Sequence, residues 1–287
     1  MRRIILTLTL LLAAGCATMA PDRERPAVDL PAAWTGAAGA DAAAARPGID
    51  ETGWRDVFTD PALQKLIETA LRENRNLRQA VLAMDKARAQ YGVARADLLP
   101  NVDASGRNSN TRSPGDLRSG IAGIDRQWGA GLSVTSFELD LFGRVRSLQD
   151  KALEEYLATE EARRAVHISL VSQVARTYLT LAGDREALDL ARETRQSRQA
   201  TLDLTLARIA NGMGTDLERH QAEEAVAVTQ SEEARLTAQV AMDENALAVL
   251  TGRPVAELDL PTRARRDEAR GQTVAPGLPS ELLARRP

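Results

Sequence analysis

The chain has 287 residues, with 37 Lys and Arg against 40 Asp and Glu, a formal charge of −3, 3% aromatic residues, two His and a single Cys. A near-neutral chain lacks the basic field that phosphate backbones attract, which argues against nucleic acid as a partner. One Cys argues against a disulfide framework or Cys-rich zinc site, and two distant His without HExxH spacing argue against a His-built metal centre or triad.

Arg2 and Arg3 precede the apolar run Ile4 to Leu12, followed by Ala13-Ala14-Gly15-Cys16. This reads as a signal peptide over residues 1–15, too short to span a bilayer as a helix of about 20 residues. Cys16 stands where a bacterial lipobox places the lipid-accepting thiol, with the usual Leu one place early at Leu12. The alternative is an ordinary secreted chain with a Cys at its cleavage site. An unpaired thiol in an oxidising compartment favours lipidation. Acyl chains, at about 0.8 kcal/mol per buried methylene, hold an N-terminus to a membrane when more than one is attached. Ala17 stands where an Asp would signal inner-membrane retention, which favours the outer membrane. Residues 16–50, rich in Ala, Pro and Asp without a sustained period, read as a lipidated linker.

Residues 51–99 read as helices. Asp60-Pro61 is a good helix opening, and Leu63, Leu66, Ile67 and Ala70 follow at helical spacing. A second helix starts after Asn74, carries Leu77, Ala80, Val81, Met84, Ala87 and Tyr91 on one face, and stops at Pro100.

Residues 100–137 change character and read as two transmembrane β-strands with an extracellular loop at 113–126. Residues 101–112 are small and polar. Over 127–136, Trp128, Ala130, Leu132 and Val134 alternate with Gly129, Gly131, Ser133 and Thr135, the period of a strand with one apolar face. Ten such residues, tilted by about 40°, cross an apolar band of roughly 25 Å. Trp128 fits one membrane interface; Phe137 has the wrong parity to mark the other. A soluble hairpin is the competing reading.

Residues 138–252 read as a long helical hairpin. Between Arg144 and Ala210 there is no Pro and one Gly, Gly183. Such a helix, about 65 residues at 1.5 Å each, is about 100 Å long. It is stable only as a coiled coil or within a barrel of packed helices. Asn211-Gly212 and Gly214 form the turn, and the returning helix runs to about Leu250 with Leu217, Ala225, Val228, Leu236, Val240, Leu247 and Leu250 inward. The helix before Pro100 then makes up the missing length by stacking end to end with it. The fold class is mainly α with a β-hairpin: a long antiparallel coiled-coil hairpin plus two transmembrane strands.

Several runs carry a family resemblance: Trp54 to Leu71, Ala96 to Val102 with its Leu99-Pro100, Phe137-Glu138-Leu139-Asp140-Leu141-Phe142-Gly143-Arg144, Arg208 to Ala222, Leu250 to Arg253, and the tail from Pro276 to Pro287. On these the mature chain resembles the TolC-like outer-membrane factors, in the lipoprotein branch that serves resistance-nodulation-division efflux pumps. The resemblance implies a trimeric tube, each chain giving strands to one outer-membrane barrel and long helices to a periplasmic one. It implies a passive conduit with no catalysis and no cofactor. Its partners would be outer-membrane lipid, a periplasmic adaptor protein and the inner-membrane transporter that supplies energy.

It further implies that Arg208, Gly212, Met213, Gly214 and Thr215 form the adaptor-facing periplasmic tip. Asp216 and Glu218 are candidate aperture carboxylates, with a plain helix N-terminal role as the competing reading. Glu138, Asp140, Phe142, Gly143 and Arg144 form the strand-to-helix turn, and Trp128, Ala130, Leu132 and Val134 the lipid face of the barrel. His167 and His220 read as ordinary helix residues. Family chains hold two such repeats. Here residues 253–287 read as the connection to a second one, so the expectation is a truncated form or fragment, with six-copy assembly as the alternative. The competing function is a periplasmic adaptor lipoprotein, which would flank its hairpin with Gly- and Val-rich β-domains. An envelope enzyme has no catalytic arrangement to support it.

Overall fold

The structure, a computed structural model, describes residues 19–21, 52–113, 123–134, 137–258 and 260. In chain order the elements are helix α1 (Trp54–Val57), α2 (Pro61–Glu73), α3 (Arg75–Ala96), strands β1 (Val102–Ser113) and β2 (Gly123–Val134), α4 (Arg144–Ala210), α5 (Asp216–Thr251) and a 3-10 turn at Val255–Glu257. They divide into one unit of Met1–Pro26 with Ala83–Glu160 and another of Ala27–Leu82 with Glu161–Pro287, so α3 and α4 contribute to both.

In the second unit, the Asp60 carboxylate accepts from the Ala62 amide at 2.8 Å and so caps α2, with Pro61 at the first helical position. Leu63, Leu66, Ile67 and Ala70 then fall on one face and are buried against Leu170, Val174, Tyr178 and Leu181 of α4 and Leu247 of α5. Each buried aliphatic side chain here contributes about 1.5–3 kcal/mol. The Tyr178 hydroxyl donates to the other Asp60 oxygen at 2.8 Å. One carboxylate thereby starts α2 and ties it to α4.

Helix α4 has 67 residues and α5 has 36. They pair antiparallel, since Arg185 bonds Glu244 at 2.7 Å while Arg195, ten residues on, forms an ion pair with Glu233 at 2.6 Å. The inward positions of α5 alternate by three and four: Arg219, Ala222, Val226, Thr229, Glu233, Leu236, Val240, Asp243, Leu247 and Leu250. Leu217 and Val228, expected inward, are instead 66% and 62% exposed, and Val226 is buried. Several seam positions are polar, so following apolar residues alone slips off the seam.

Where α5 ends, α3 begins. Gly252 takes a left-handed φ of 71°, and a Cβ there would lie 3.1 Å from the Glu73 carbonyl oxygen. The Arg253 guanidinium bonds Glu73 at 2.8 Å, and the Asn74 amide donates to the Leu250 carbonyl at 2.8 Å.

In the first unit the strands pair antiparallel without a bulge, from Val102 opposite Val134 to Ser113 opposite Gly123. The second strand therefore starts earlier than the alternation suggested. Asp125 and Arg126 complete ladder pairs with Thr111 and Asn110 although their side chains carry no apolar period.

Candidate functional site

Three features carry the chemistry of the described chain: the faces of the hairpin, the turn that follows it, and the α4–α5 turn.

The register puts Val102, Ala104, Gly106 and Asn108 opposite Val134, Leu132, Ala130 and Trp128. Because side chains alternate across a strand, these eight share one face. The other face holds Asp103, Ser105, Arg107 and Ser109 opposite Ser133, Gly131, Gly129 and Gln127. Near the base of the hairpin the first face is thus largely apolar and the second polar, while farther along the first face also carries Asn108, Asn110, Arg112 and Arg126. Trp128 and Leu132 are each 78% exposed. At the base of the hairpin Leu99, Phe137, Leu139, Leu141 and Phe142 are also exposed, a run of uncovered apolar surface unusual for a chain surrounded by water.

The turn from Glu138 to Arg144 is a small charged lock. Arg144 Nε donates to Glu138 at 2.8 Å, and a second bond joins its Nη2 to the other carboxylate oxygen. This pairing holds the Glu138 carboxyl below the usual range. Asp140 accepts from the Arg146 backbone amide at 3.0 Å, and that bond, with others from the amides of Val145 and Arg144, keeps its carboxyl low too. Acids placed on the free amides at a helix start offset the orphan donors and the dipole. Gly143 has a φ of 79°, which a side chain resists, and its carbonyl accepts from the Ser147 amide at 2.8 Å. The Phe142 carbonyl accepts from the Met19 amide at 3.3 Å.

The α4–α5 turn closes as a Schellman motif. The Gly212 amide bonds the Ile209 carbonyl and the Met213 amide bonds the Arg208 carbonyl, each at 2.9 Å, with Gly212 at a φ of 74°. The Arg208 guanidinium adds a bond to the Met213 carbonyl at 3.2 Å. Gly214 has no room for a side chain, since a Cβ would lie 2.7 Å from Ile209 Cγ1. Thr215 and Glu218 then form a reciprocal capping box that starts α5. Met213 is 63% exposed at the outer edge of the turn. The two carboxylates differ in use: Glu218 is spent on the Thr215 amide at 2.8 Å, whereas Asp216 is exposed and paired with Arg219 at 3.3 Å. Arg219 also bonds Glu223 at 3.0 Å, and His220 lies 3.1 Å from the same carboxyl group.

Cys16 lies outside the described residues, so its lipidation stands on the sequence. Among the described residues no cluster of three or more metal-ligating side chains occurs, and no helix is long and apolar enough to cross a membrane, which says nothing of a β-barrel. The cap at Asp60 was read from sequence; its bond to Tyr178 and the role of Asn74 were not. For Asn74 a signal existed: an Asn three residues before Leu77 is a capping pattern.

A mainly helical chain with a two-stranded antiparallel hairpin joined to a very long helix pair is the fold class of outer-membrane efflux channel structures. The chain belongs to the outer membrane efflux protein family, which matches residues 66–253. It is 40% identical over 285 residues to the probable efflux pump outer membrane protein TtgC of Pseudomonas putida, covering 98% of this chain and 58% of that protein. It is 39% identical over 281 residues to the outer membrane protein OprJ of Pseudomonas aeruginosa, again 98% and 58%. Among solved structures, the open-state MtrE outer membrane channel of Neisseria gonorrhoeae superposes with a TM-score of 0.73 at 34% identity, over 94% of this chain and 59% of that one. The chain therefore spans less than two thirds of the length of these relatives.

Proposed function

We propose that this chain forms a wall segment of an outer-membrane efflux conduit, lipid-anchored through Cys16 and extending into the periplasm. The observation that carries the reading is the hairpin register, which puts Val102, Ala104, Leu132, Val134 and Trp128 on one face and Asp103, Ser105, Arg107 and Gln127 on the other. In a barrel wall the first face meets lipid and the second an aqueous bore. A lone pair of strands leaves unpaired groups along both edges, which hydrocarbon does not satisfy. Strands from further copies or repeats therefore close the barrel, as a trimer at full length.

Helices α4 and α5 form an antiparallel coiled-coil segment of the periplasmic tube, and their three-four seam supports this. The turn at Arg208, Gly212, Met213, Gly214 and Thr215 meets a periplasmic adaptor, with small residues allowing close backbone approach. Asp216, exposed and paired only with Arg219 of its own helix turn, is a better candidate than Glu218 to face an aperture. An inner-membrane transporter supplies the energy, and the chain itself performs no chemistry.

The test is export. In cells that hold a cognate adaptor and transporter but lack their outer-membrane subunit, the chain restores resistance to exported compounds. Gly212→Pro and Gly214→Pro impair that resistance while insertion into the outer membrane persists. Unchanged resistance in both variants counts against the tip assignment, and recovery of the protein as a soluble monomer counts against the conduit.

A further inference from the structure

The register of the hairpin sorts its charged side chains by face. Asp103, Arg107 and Asp125 stand on the polar face, opposite Ser133, Gly129 and Thr111. Arg112 and Arg126 stand on the other face, the one that starts at Val102 and Val134 and passes through Leu132 and Trp128. Both arginines are exposed, and no carboxylate of either strand shares their face.

The two are close neighbours. Arg126 lies opposite Asn110 and Arg112 opposite Ile124, which makes the arginines a diagonal pair. Diagonal neighbours in an antiparallel ladder stand about 7–8 Å apart, a spacing that long side chains close. Asn110 shares the face beside both and adds an amide donor. Two like charges set side by side repel, so this end of the face is complementary to an anion.

Their height along the strands points to the kind of anion. The chain enters the hairpin at Val102 and leaves it at Val134; Asn110 and Arg126 lie eight residues beyond that end, and Arg112 ten. At about 3.4 Å per residue and a tilt of about 40°, that is about 21 and 26 Å from the base, where an apolar band of about 25 Å ends. An Arg facing lipid is costly at mid-depth and tolerated at such an interface. Trp128 stands one alternation below Arg126 on the same face, in the zone where aromatic residues border the band.

We propose that Arg112 and Arg126, with Asn110 beside them, form a binding site for the phosphate group of a lipid headgroup in the outer leaflet. The inference deepens the conduit reading and rests on it, since a lipid-facing hairpin is what brings a headgroup to this face. A guanidinium presents a planar fork of donors that matches two phosphate oxygens, and two such forks balance the charge of a phosphate monoester. The phosphate of a lipid is favoured over the free ion because its acyl chains, lying along Trp128 and Leu132, hold it at this height at high local concentration. The site clamps the distal end of the hairpin to the far surface of the membrane.

The experiment uses the purified full chain in phosphatidylcholine vesicles that contain either lipid A with both phosphates or lipid A stripped of them. It is unfolded with urea, which is uncharged and leaves ion pairs unscreened. The wild-type midpoint is expected to rise and saturate with phosphorylated lipid A alone. Arg112→Gln and Arg126→Gln each raise the lipid fraction needed for half that rise about tenfold, and the double variant loses it. Arg107→Gln, on the other face, keeps it. Insertion is read separately with phosphatidylcholine brominated in its chains, which quenches a part of the tryptophan emission that Trp128→Phe lacks. Quenching without a response to the lipid A phosphates, or a response that survives the double variant, would overturn the site and leave the conduit standing. Absence of quenching would overturn both. An equal rise with inorganic phosphate in plain phosphatidylcholine vesicles would overturn the lipid assignment.

Discussion

Asn74 and Leu250 stand 176 positions apart in sequence, yet the side-chain amide of one donates to the backbone carbonyl of the other at 2.8 Å. The Oδ1 of the same Asn accepts from the Leu77 amide at 2.9 Å, and its own amide bonds the Ala70 carbonyl at 2.8 Å. One residue thereby ends α2, caps the start of α3 and satisfies an orphan carbonyl at the end of α5. The junction ties the end of α5 to the start of α3 without a covalent link.

Asn74→Ala removes the cap and the carbonyl's donor together, and is expected to destabilise the chain by about 2–3 kcal/mol. Asn74→Asp keeps the acceptor for α3 but places a charge against the carbonyl end of α5, where the dipole disfavours it. Guanidinium midpoints of the two variants measure the two halves of this role. Equal midpoints for wild type and Asn74→Ala would remove Asn74 from the junction.

Tyr178→Phe deprives the nearly buried Asp60 carboxylate of its phenolic donor. A loss of about 1–3 kcal/mol is expected, with helicity retained. Asp60→Asn in the Tyr178→Phe background should cost little more, because the bond between them is already gone. Additive losses in this double-mutant cycle would separate the two residues energetically.

At the α4–α5 turn, Gly214→Ala forces a Cβ against Ile209, and Gly212→Ala asks a side chain to adopt a left-handed backbone. Each should cost about 1–2 kcal/mol, from overpacking in the first case and backbone strain in the second. The causes are separable: Ile209→Ala should rescue Gly214→Ala and leave Gly212→Ala unimproved. Rescue of both, or of neither, would contradict the geometry given for the turn.

Much of this architecture was legible beforehand. Absence of Pro from Arg144 to Ala210, the Asn211-Gly212 turn and the Asp60-Pro61 opening are local signals, and the corresponding helices follow them. The seam of α5 was less legible because Arg219, Thr229, Glu233 and Asp243 occupy inward positions, so apolar residues alone pointed to Leu217 and Val228. For the distal part of the hairpin, register comes from pairing with β1, and the sequence around Asp125 and Arg126 has no alternation to show it. Contacts such as Asn74 with Leu250 depend on how helices meet, which no local pattern encodes.

The strand-to-helix turn carries its own pH dependence. The Glu138 and Asp140 carboxyls are both held low, by Arg144 and by the amides at the start of α4. Their stabilising contribution is present above the ordinary carboxylate value near pH 4 and is lost as pH falls through the folded values. A spin label near Phe142 should therefore gain mobility in strong acid, and Glu138→Gln with Asp140→Asn should show that mobility at neutral pH. An unchanged spectrum in the double variant would place the rigidity of the turn elsewhere.

The membrane role of the hairpin is tested most directly by scanning single cysteines through positions 124–134 in outer membranes. Residues Trp128, Ala130, Leu132 and Val134 should contact a lipid-soluble quencher, while Gln127, Gly129, Gly131 and Ser133 should react with a water-soluble thiol reagent, a period of two along the strand. Uniform reactivity with the aqueous reagent at every position would contradict a barrel wall and the conduit built on it.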